Sequence, residues 1–388
     1  MAYNISNIIG RDTEVKKLLR VLETHSIVLS SHRRMGKTYL LKKIKATHPD
    51  NIVPLFLIVE GKSSPEEFVY DLYRCLQEEG LITIGKSKRF HNWYEKTIAG
   101  QEIKEMKLPS FRPHWKEALR KIIEGLLEEQ KGKTIVIMID EFPIMLYKFI
   151  MEYKLVNEAV ELIDTLREIR QVYGDRGIRF IFCGSIGINV VLEKLKKSHN
   201  YAGEPLNDMS MEILDAMNIG DAKKLVRHLI EVKEISIEPD NDNTIDELCK
   251  SVDSLPFYID LIIKEIDVNQ SIISPESIKN EVERLILAAG NQGQFNHYTD
   301  RISTYYEKDM GKISRKTLNW LSTKENFVDE LEIFNMLAGQ QKIEEDVVRG
   351  VLKKLFDDLY LDRKINRGKR FYKFKYNLLR KWWMVNFG

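Results

Sequence analysis

The feature that most constrains this chain is a strand, a loop and a helix in direct succession over residues 26–41. An apolar run at 27–29 leads into a polar loop, and Gly36, Lys37 and Thr38 stand where the loop joins the helix. At such a junction several backbone N–H groups and the helix N-terminus point at a single anion. The stretch therefore predicts a phosphate-binding P-loop.

Each residue of the junction suits one part of a nucleoside triphosphate. Lys37 is placed to reach the β- and γ-phosphates, and the Thr38 hydroxyl is placed to ligate Mg²⁺. Gly36 lets the backbone come close to a phosphate where a side chain would collide. The other candidate nucleotide-binding residues here are Arg33, Arg34, Met35 and Tyr39.

One position departs from the full P-loop pattern, which has glycine five residues before Gly36. Ser31 stands there, and we expect it to make the turn at some conformational cost. A chance Gly-Lys-Thr at the start of a helix is the alternative interpretation, so a second motif has to decide between the two.

That second motif is the apolar run at 135–139, which ends in Asp140 and Glu141. It predicts a parallel strand buried on both faces, and ligands bind at the carboxyl ends of such strands. It lies about a hundred residues after the loop, which is typical of a Walker B strand. Asp140 is predicted to hold Mg²⁺ through its water shell, and Glu141 to orient or deprotonate the attacking water. An ordinary solvated strand end is the alternative.

With Ile9, Gly10 and Arg11 some twenty residues ahead of the loop, these motifs resemble the archaeal-type ATPases of the AAA+/STAND group. The resemblance implies an α/β P-loop NTPase core with a parallel sheet, then an all-helical lid and a C-terminal winged helix. It also implies that Ile9, Gly10 and Arg11 pack near the adenine and ribose. A turn ahead of an amphipathic helix is the alternative for these three residues.

Two further site residues follow from the same resemblance. Ser185, after the apolar run at 178–183, corresponds to the sensor-1 position, which monitors the γ-phosphate and serves catalysis with Lys37 and Glu141. A strand-ending turn is the alternative. Pro256 lies in a turn that resembles the Gly-x-Pro turn of the lid, with Ser254 in place of glycine. An ordinary helix start with proline in its first turn explains Pro256 equally well.

The predicted domains are a core at 1–213, a lid at 214–305 and a winged helix at 306–388. Apolar runs predict core strands near residues 26–30, 52–59, 134–139, 178–183 and 209–213. The last domain is predicted to have helices at 313–321, 328–337 and 344–359, and then a β-hairpin that turns at 366–369. Residues 86–113 mix basic and aromatic residues without a clear period and are predicted to be an insertion.

The predicted hairpin collects basic residues, which suits contact with a nucleic-acid backbone: Arg363, Lys364, Arg367, Lys369, Arg370, Lys373 and Lys375. A solvated hairpin whose charges discourage aggregation is the alternative. The helix before it carries acidic residues at both ends, and phosphates would repel such a helix from a groove. Docking of a protein partner, or self-association, is the competing use of this domain.

The composition limits the partners and the cellular location that we expect for the protein. The net charge of +2 confines any nucleic-acid footprint to a local patch. The longest apolar runs are too short to cross a bilayer, and no secretory signal is visible. Three widely spaced cysteines without metal-ligand spacing predict buried apolar residues of a reduced, cytoplasmic protein.

The sequence thus predicts a protein that binds and hydrolyses ATP with Mg²⁺ and acts as a nucleotide-dependent switch. An ATP-regulated DNA-binding protein is the first alternative. A small-molecule kinase is the second, and the adjacent carboxylates and the large C-terminal half disfavour it.

Overall fold

The computed structural model of the protein describes residues 8–81, 115–238, 241–287, 295–339 and 342–388. The predicted insertion at 86–113 lies outside the described residues. The chain divides into two compact units, Met1–Leu214 and Asp215–Gly388. Within the described ranges, no helix combines the length and the apolar character needed to span a lipid bilayer.

In its described residues, the first unit contains a five-stranded sheet of order β2-β3-β4-β1-β5 in which every pair of neighbours is parallel. The strands are β1 (Ser26–Ser30), β2 (Ile52–Ile58), β3 (Thr134–Asp140), β4 (Ile178–Cys183) and β5 (Met209–Ile213). All five strands were predicted from apolar runs, and the P-loop NTPase fold class is confirmed.

Seven α-helices accompany this sheet in the described part of the unit. They are α1 (Asp12–Leu22), α2 (Lys37–Thr47), α3 (Pro65–Glu78), α4 (Trp115–Glu129), α5 (Phe142–Met151), α6 (Val156–Tyr173) and α7 (Ile188–His199). Strand β3 lies between β2 and β4, and every residue of its run 135–139 is fully buried. A continuous apolar run is what a strand covered on both faces requires.

In the described part of the second unit, nine helices accompany a small antiparallel sheet of order β6-β8-β7. The helices are α8 (Ile219–Lys233), α9 (Asn241–Ser251), α10 (Pro256–Val268), α11 (Pro275–Leu287), α12 (Asn296–Tyr305), α13 (Lys308–Ser322), α14 (Glu330–Ala338), α15 (Glu345–Asp357) and α16 (Asn377–Phe387). The strands are β6 (Val328–Asp329), β7 (Leu361–Asn366) and β8 (Lys369–Phe374).

The β7–β8 hairpin forms where the sequence predicts it. Its two-residue turn has positive φ at Arg367 (48°) and Gly368 (78°), the conformation that matches the twist of the flanking strands. The prediction of a helix from residue 328 is wrong at its start. Val328 and Asp329 instead pair with β8, and the Asp329 carboxylate caps α14 by accepting the Leu331 N–H.

The second unit has a shared aromatic core. Phe295 stacks on Tyr258 and on Trp382, with ring centroids 5.0 Å and 5.1 Å apart. The Asp253 carboxylate accepts the N–H of Leu378 at 2.7 Å, at the start of α16. The predicted lid and the predicted winged helix therefore pack against each other. The boundary at 305, like the winged-helix assignment, stays a prediction.

Candidate functional site

The loop at 31–36 carries the chain from the end of β1 to the start of α2. Positive φ values at Arg34 (71°) and Gly36 (83°) turn the backbone. Gly36 is the N-cap of α2, and no atom lies within 4 Å of the place where its Cβ would stand. Ser31 is not among the residues with positive φ. The conformational cost expected for serine at this position is therefore absent.

Lys37 is buried, with 6% of its surface exposed, and its ammonium lies inside the loop. Its Nζ donates to Ser31 Oγ at 3.0 Å and to the carbonyl oxygen of His32 at 3.1 Å. Ser31 Oγ in turn donates to the same carbonyl at 2.8 Å. Any phosphate bound in the loop would compete with these acceptors for the lysine.

The second contact that defines the site joins Thr38 to Asp140. Thr38 Oγ1 donates to Asp140 Oδ2 at 2.6 Å across 102 positions of sequence. Asp140 is the last residue of β3 and is 2% exposed. Its other oxygen, Oδ1, accepts the Glu141 N–H and the Cys183 thiol, each at 3.1 Å. The carboxylate is thus held on both sides, with Oδ2 directed at the start of α2.

Glu141 follows in the left-handed conformation (φ 61°) as the N-cap of α5. Its Oε2 accepts the Ser185 N–H at 2.7 Å. Burial raises the pKa of this carboxyl group, while the Ser185 N–H and the Lys37 ammonium oppose the rise. A Cβ on Gly184 would lie 2.8 Å from Pro143 Cδ and 3.2 Å from Glu141 Oε2. Glycine at 184 therefore allows β4 and Glu141 to approach each other.

The Gly10-Arg11 box is attached to the P-loop and its helix. Arg11, 5% exposed, donates to the Met35 carbonyl at 3.1 Å and pairs with Glu14 at 2.6 Å. From α2, Lys43 donates to the Gly10 carbonyl and pairs with Asp12 at 2.8 Å. The structure thus brings this box together with the loop that the sequence predicts to bind phosphate.

The remaining predicted residues differ in exposure and place. Arg33 and Tyr39 are exposed, Ile9, Arg34 and Ser185 are half-buried, and Met35 is buried. Pro256 begins α10 in the second unit, and its place beside a nucleotide stays a prediction. Cys183 and Cys249 are buried as expected, whereas Cys75 is only half-buried. No sequence pattern marks Cys183 as a site residue, yet its thiol contacts Asp140.

The donor set fits a triphosphate with Mg²⁺. The helix N-terminus and Lys37 offer positive charge to phosphates, and Thr38 and Asp140 offer the oxygen ligands that Mg²⁺ prefers. Across the described ranges, no cluster of three or more histidine, cysteine or acidic residues could hold a metal ion. Mg²⁺ sites commonly combine one or two carboxylates with substrate phosphate oxygens.

Residues 22–192 match the AAA domain family. A Walker-type ATPase of Pyrococcus abyssi is similar in structure, with a TM-score of 0.59 and 16% identity, over 97% of this chain and 95% of that chain. The ORC2 protein of Aeropyrum pernix is similar at a TM-score of 0.41 and 10% identity, over 94% and 89%. The RuvB Holliday junction branch migration motor of Thermotoga maritima is similar at 0.40 and 16%, over 94% and 92%. Among curated proteins no similar sequence was found.

Proposed function

We propose that this chain, whose residues 22–192 match the AAA domain family, binds ATP with Mg²⁺ and hydrolyses it as a nucleotide-dependent switch. The observation that carries the proposal is the 2.6 Å contact between Thr38 and Asp140. It places the two predicted magnesium ligands side by side, next to a buried lysine and a helix N-terminus. A chance Gly-Lys-Thr at a helix start would not explain this convergence.

In this proposal each group of residues binds a different part of ATP and its Mg²⁺. The N–H groups at the start of α2 and the Lys37 ammonium bind the β- and γ-phosphates. Thr38 and Asp140 would hold Mg²⁺, which supplies positive charge to the phosphate oxygens. Ile9, Gly10 and Arg11 would border the base and ribose, and the contact of Arg11 with the Met35 carbonyl beside the loop supports this part of the proposal.

Glu141 has the position of a general base. Burial raises its pKa, which favours acceptance of a proton from water near neutral pH. The Ser185 N–H donates to Oε2, and this hydrogen bond fixes one of the two carboxylate oxygens. Ser185 thereby couples the end of β4, the predicted sensor position, to the predicted base.

A switch requires two states that bind ATP and ADP with different affinity, because a ligand shifts an equilibrium only by its differential affinity. The γ-phosphate would make that difference by drawing Lys37 from Ser31 and His32 and by engaging Ser185.

Replacement of Lys37 tests the proposal most directly. Lys37→Ala should abolish binding of a fluorescent ATP analogue in the presence of Mg²⁺, because it removes the only buried ammonium that the described residues place in the loop. Circular dichroism should show an unchanged fold. Unchanged nucleotide affinity in a folded variant would refute the assignment of the loop.

The alternative, ATP-regulated DNA binding, has less support from the hairpin. Five of its seven basic side chains contact acidic or aromatic neighbours. Lys369 pairs with Asp329 at 3.9 Å, and Arg370 pairs with Glu330 at 3.5 Å. Charges already neutralised within the protein displace fewer counterions from DNA. We therefore favour a protein partner or self-association for this domain.

A further inference from the structure

Cys183 lies at the point where β4 ends beside the predicted magnesium ligand. It is the last residue of β4, and the parallel register pairs Phe182 with Ile139, so that Cys183 stands next to Asp140. The thiol is buried, with 1% of the residue exposed. Its Sγ lies 3.1 Å from Asp140 Oδ1, well within the distance of an S–H···O hydrogen bond.

This contact fixes how the carboxylate is turned. Oδ1 takes two donors from the protein, the Cys183 thiol and the Glu141 N–H. Oδ2 is left to Thr38 at 2.6 Å. We propose that Cys183 is a positioning residue, whose thiol holds Asp140 with Oδ2 directed at Thr38, where the proposed function places Mg²⁺. The inference rests on that proposed function.

Substitution of Cys183 can separate the hydrogen-bond donor from the volume of the side chain. Serine would keep a donor in this space. Alanine and valine would leave Oδ1 with the Glu141 N–H alone, and the carboxylate would be free to rotate away from Thr38.

The experiment measures the Mg²⁺ dependence of nucleotide binding, not turnover alone. The variants are Cys183→Ala, Cys183→Val and Cys183→Ser, and Cys249→Ala, which removes another buried thiol in the second unit, is the matched control. Affinity for a fluorescent ATP analogue is measured across a Mg²⁺ titration and in EDTA. Thermal unfolding of the nucleotide-free protein reports folding.

Mg²⁺ should tighten binding of the ATP analogue, and we expect Cys183→Ala and Cys183→Val to raise the Mg²⁺ concentration that gives half of this effect about five- to tenfold. In EDTA the affinity should stay within about twofold of the parent. Cys183→Ser and Cys249→Ala should behave like the parent. A loss of affinity that is equal with Mg²⁺ and in EDTA would overturn the inference, because it indicates a packing defect.

Two other results would also overturn it. One is an unchanged Mg²⁺ dependence in both donor-free variants, and the other is a serine variant that behaves like alanine. If Cys183→Ala does not fold, the comparison of serine with valine decides in its place. Failure of the proposed function itself is distinguishable, since the parent protein would then show no Mg²⁺-dependent ATP binding.

Discussion

The hydrogen bond from Lys37 to Ser31 predicts that removal of the Ser31 hydroxyl tightens nucleotide binding. In the structure, Ser31 Oγ is one of two acceptors for the Lys37 ammonium, at 3.0 Å. To reach the phosphates, the ammonium must leave this acceptor. Ser31→Ala removes the acceptor, and Ser31 has no positive φ that would make alanine costly. The substitution therefore acts chiefly on the state without nucleotide.

The magnitude follows from the energy of a hydrogen bond to a charged group, about 1.5–3 kcal/mol. The carbonyl of His32 remains as the second acceptor, so that only part of this energy is lost. We take about 1 kcal/mol, which corresponds to roughly fivefold tighter ATP binding. The nucleotide-free protein should lose a similar free energy of unfolding, because a buried ammonium has lost a partner.

Isothermal titration calorimetry gives the affinity, and denaturant unfolding without nucleotide gives the stability. The control is a double-mutant cycle with Lys37→Met, which removes the charge. In that background Ser31→Ala should lose most of its effect on stability, since the two residues act as a pair. Unchanged ATP binding in Ser31→Ala would refute the argument. Weaker binding would also refute it and would indicate that Ser31 contacts the nucleotide.

Three further predictions follow from other contacts. Glu141→Gln should keep ATP affinity but lower turnover at least about a hundredfold, the usual contribution of a positioned base, and parental turnover in a steady-state phosphate-release assay would refute its role. If the hairpin does not contact DNA, the full-length protein should show no duplex DNA binding by fluorescence anisotropy at moderate salt, with or without ATP. Salt-sensitive binding that Arg367→Ala, Lys369→Ala and Arg370→Ala together abolish would contradict that. Burial raises the pKa of Asp253 from 3.8 to about 6, so its contribution to stability is complete below pH 4 and is lost as pH rises through 6. Relative to Asp253→Asn, the free energy of unfolding should fall by up to about 3 kcal/mol over that range, and parallel pH profiles of the two proteins would refute the assignment.

The sequence predicted the five described strands of the first unit because the signals for buried strands are local. Buried strands appear in the sequence as apolar runs. The start of α3 likewise carries a local signal, the serine cap Ser64 followed by Pro65 and acidic residues. The same local logic failed at Val328. There, a two-residue strand is determined by pairing with Tyr372 and Phe371, residues more than forty positions away. Periodicity cannot report a partner at that distance.

Contacts between elements were beyond prediction for the same reason. Cys183 looked like an apolar core residue, and only the register of β3 and β4 shows that its thiol meets Asp140. Arg170 is a second case. Its guanidinium, 3% exposed, forms two hydrogen bonds with Asp208 at 2.8 Å and 2.9 Å, and nothing in the local pattern of α6 marks that partner.

The position of β4 explains why these distant residues form one site. In the sheet, β4 lies between β1, which leads into the P-loop, and β3, which ends in Asp140. Thr38 therefore reaches Asp140 across the end of β4. The residues at that end, Cys183 and Ser185, contact Asp140 and Glu141 respectively. A sheet with β1 beside β3 would have no strand end between loop and carboxylates. In the proposed function, a γ-phosphate that displaces Ser185 would also release Glu141 from its N–H partner, because both groups meet at the end of β4.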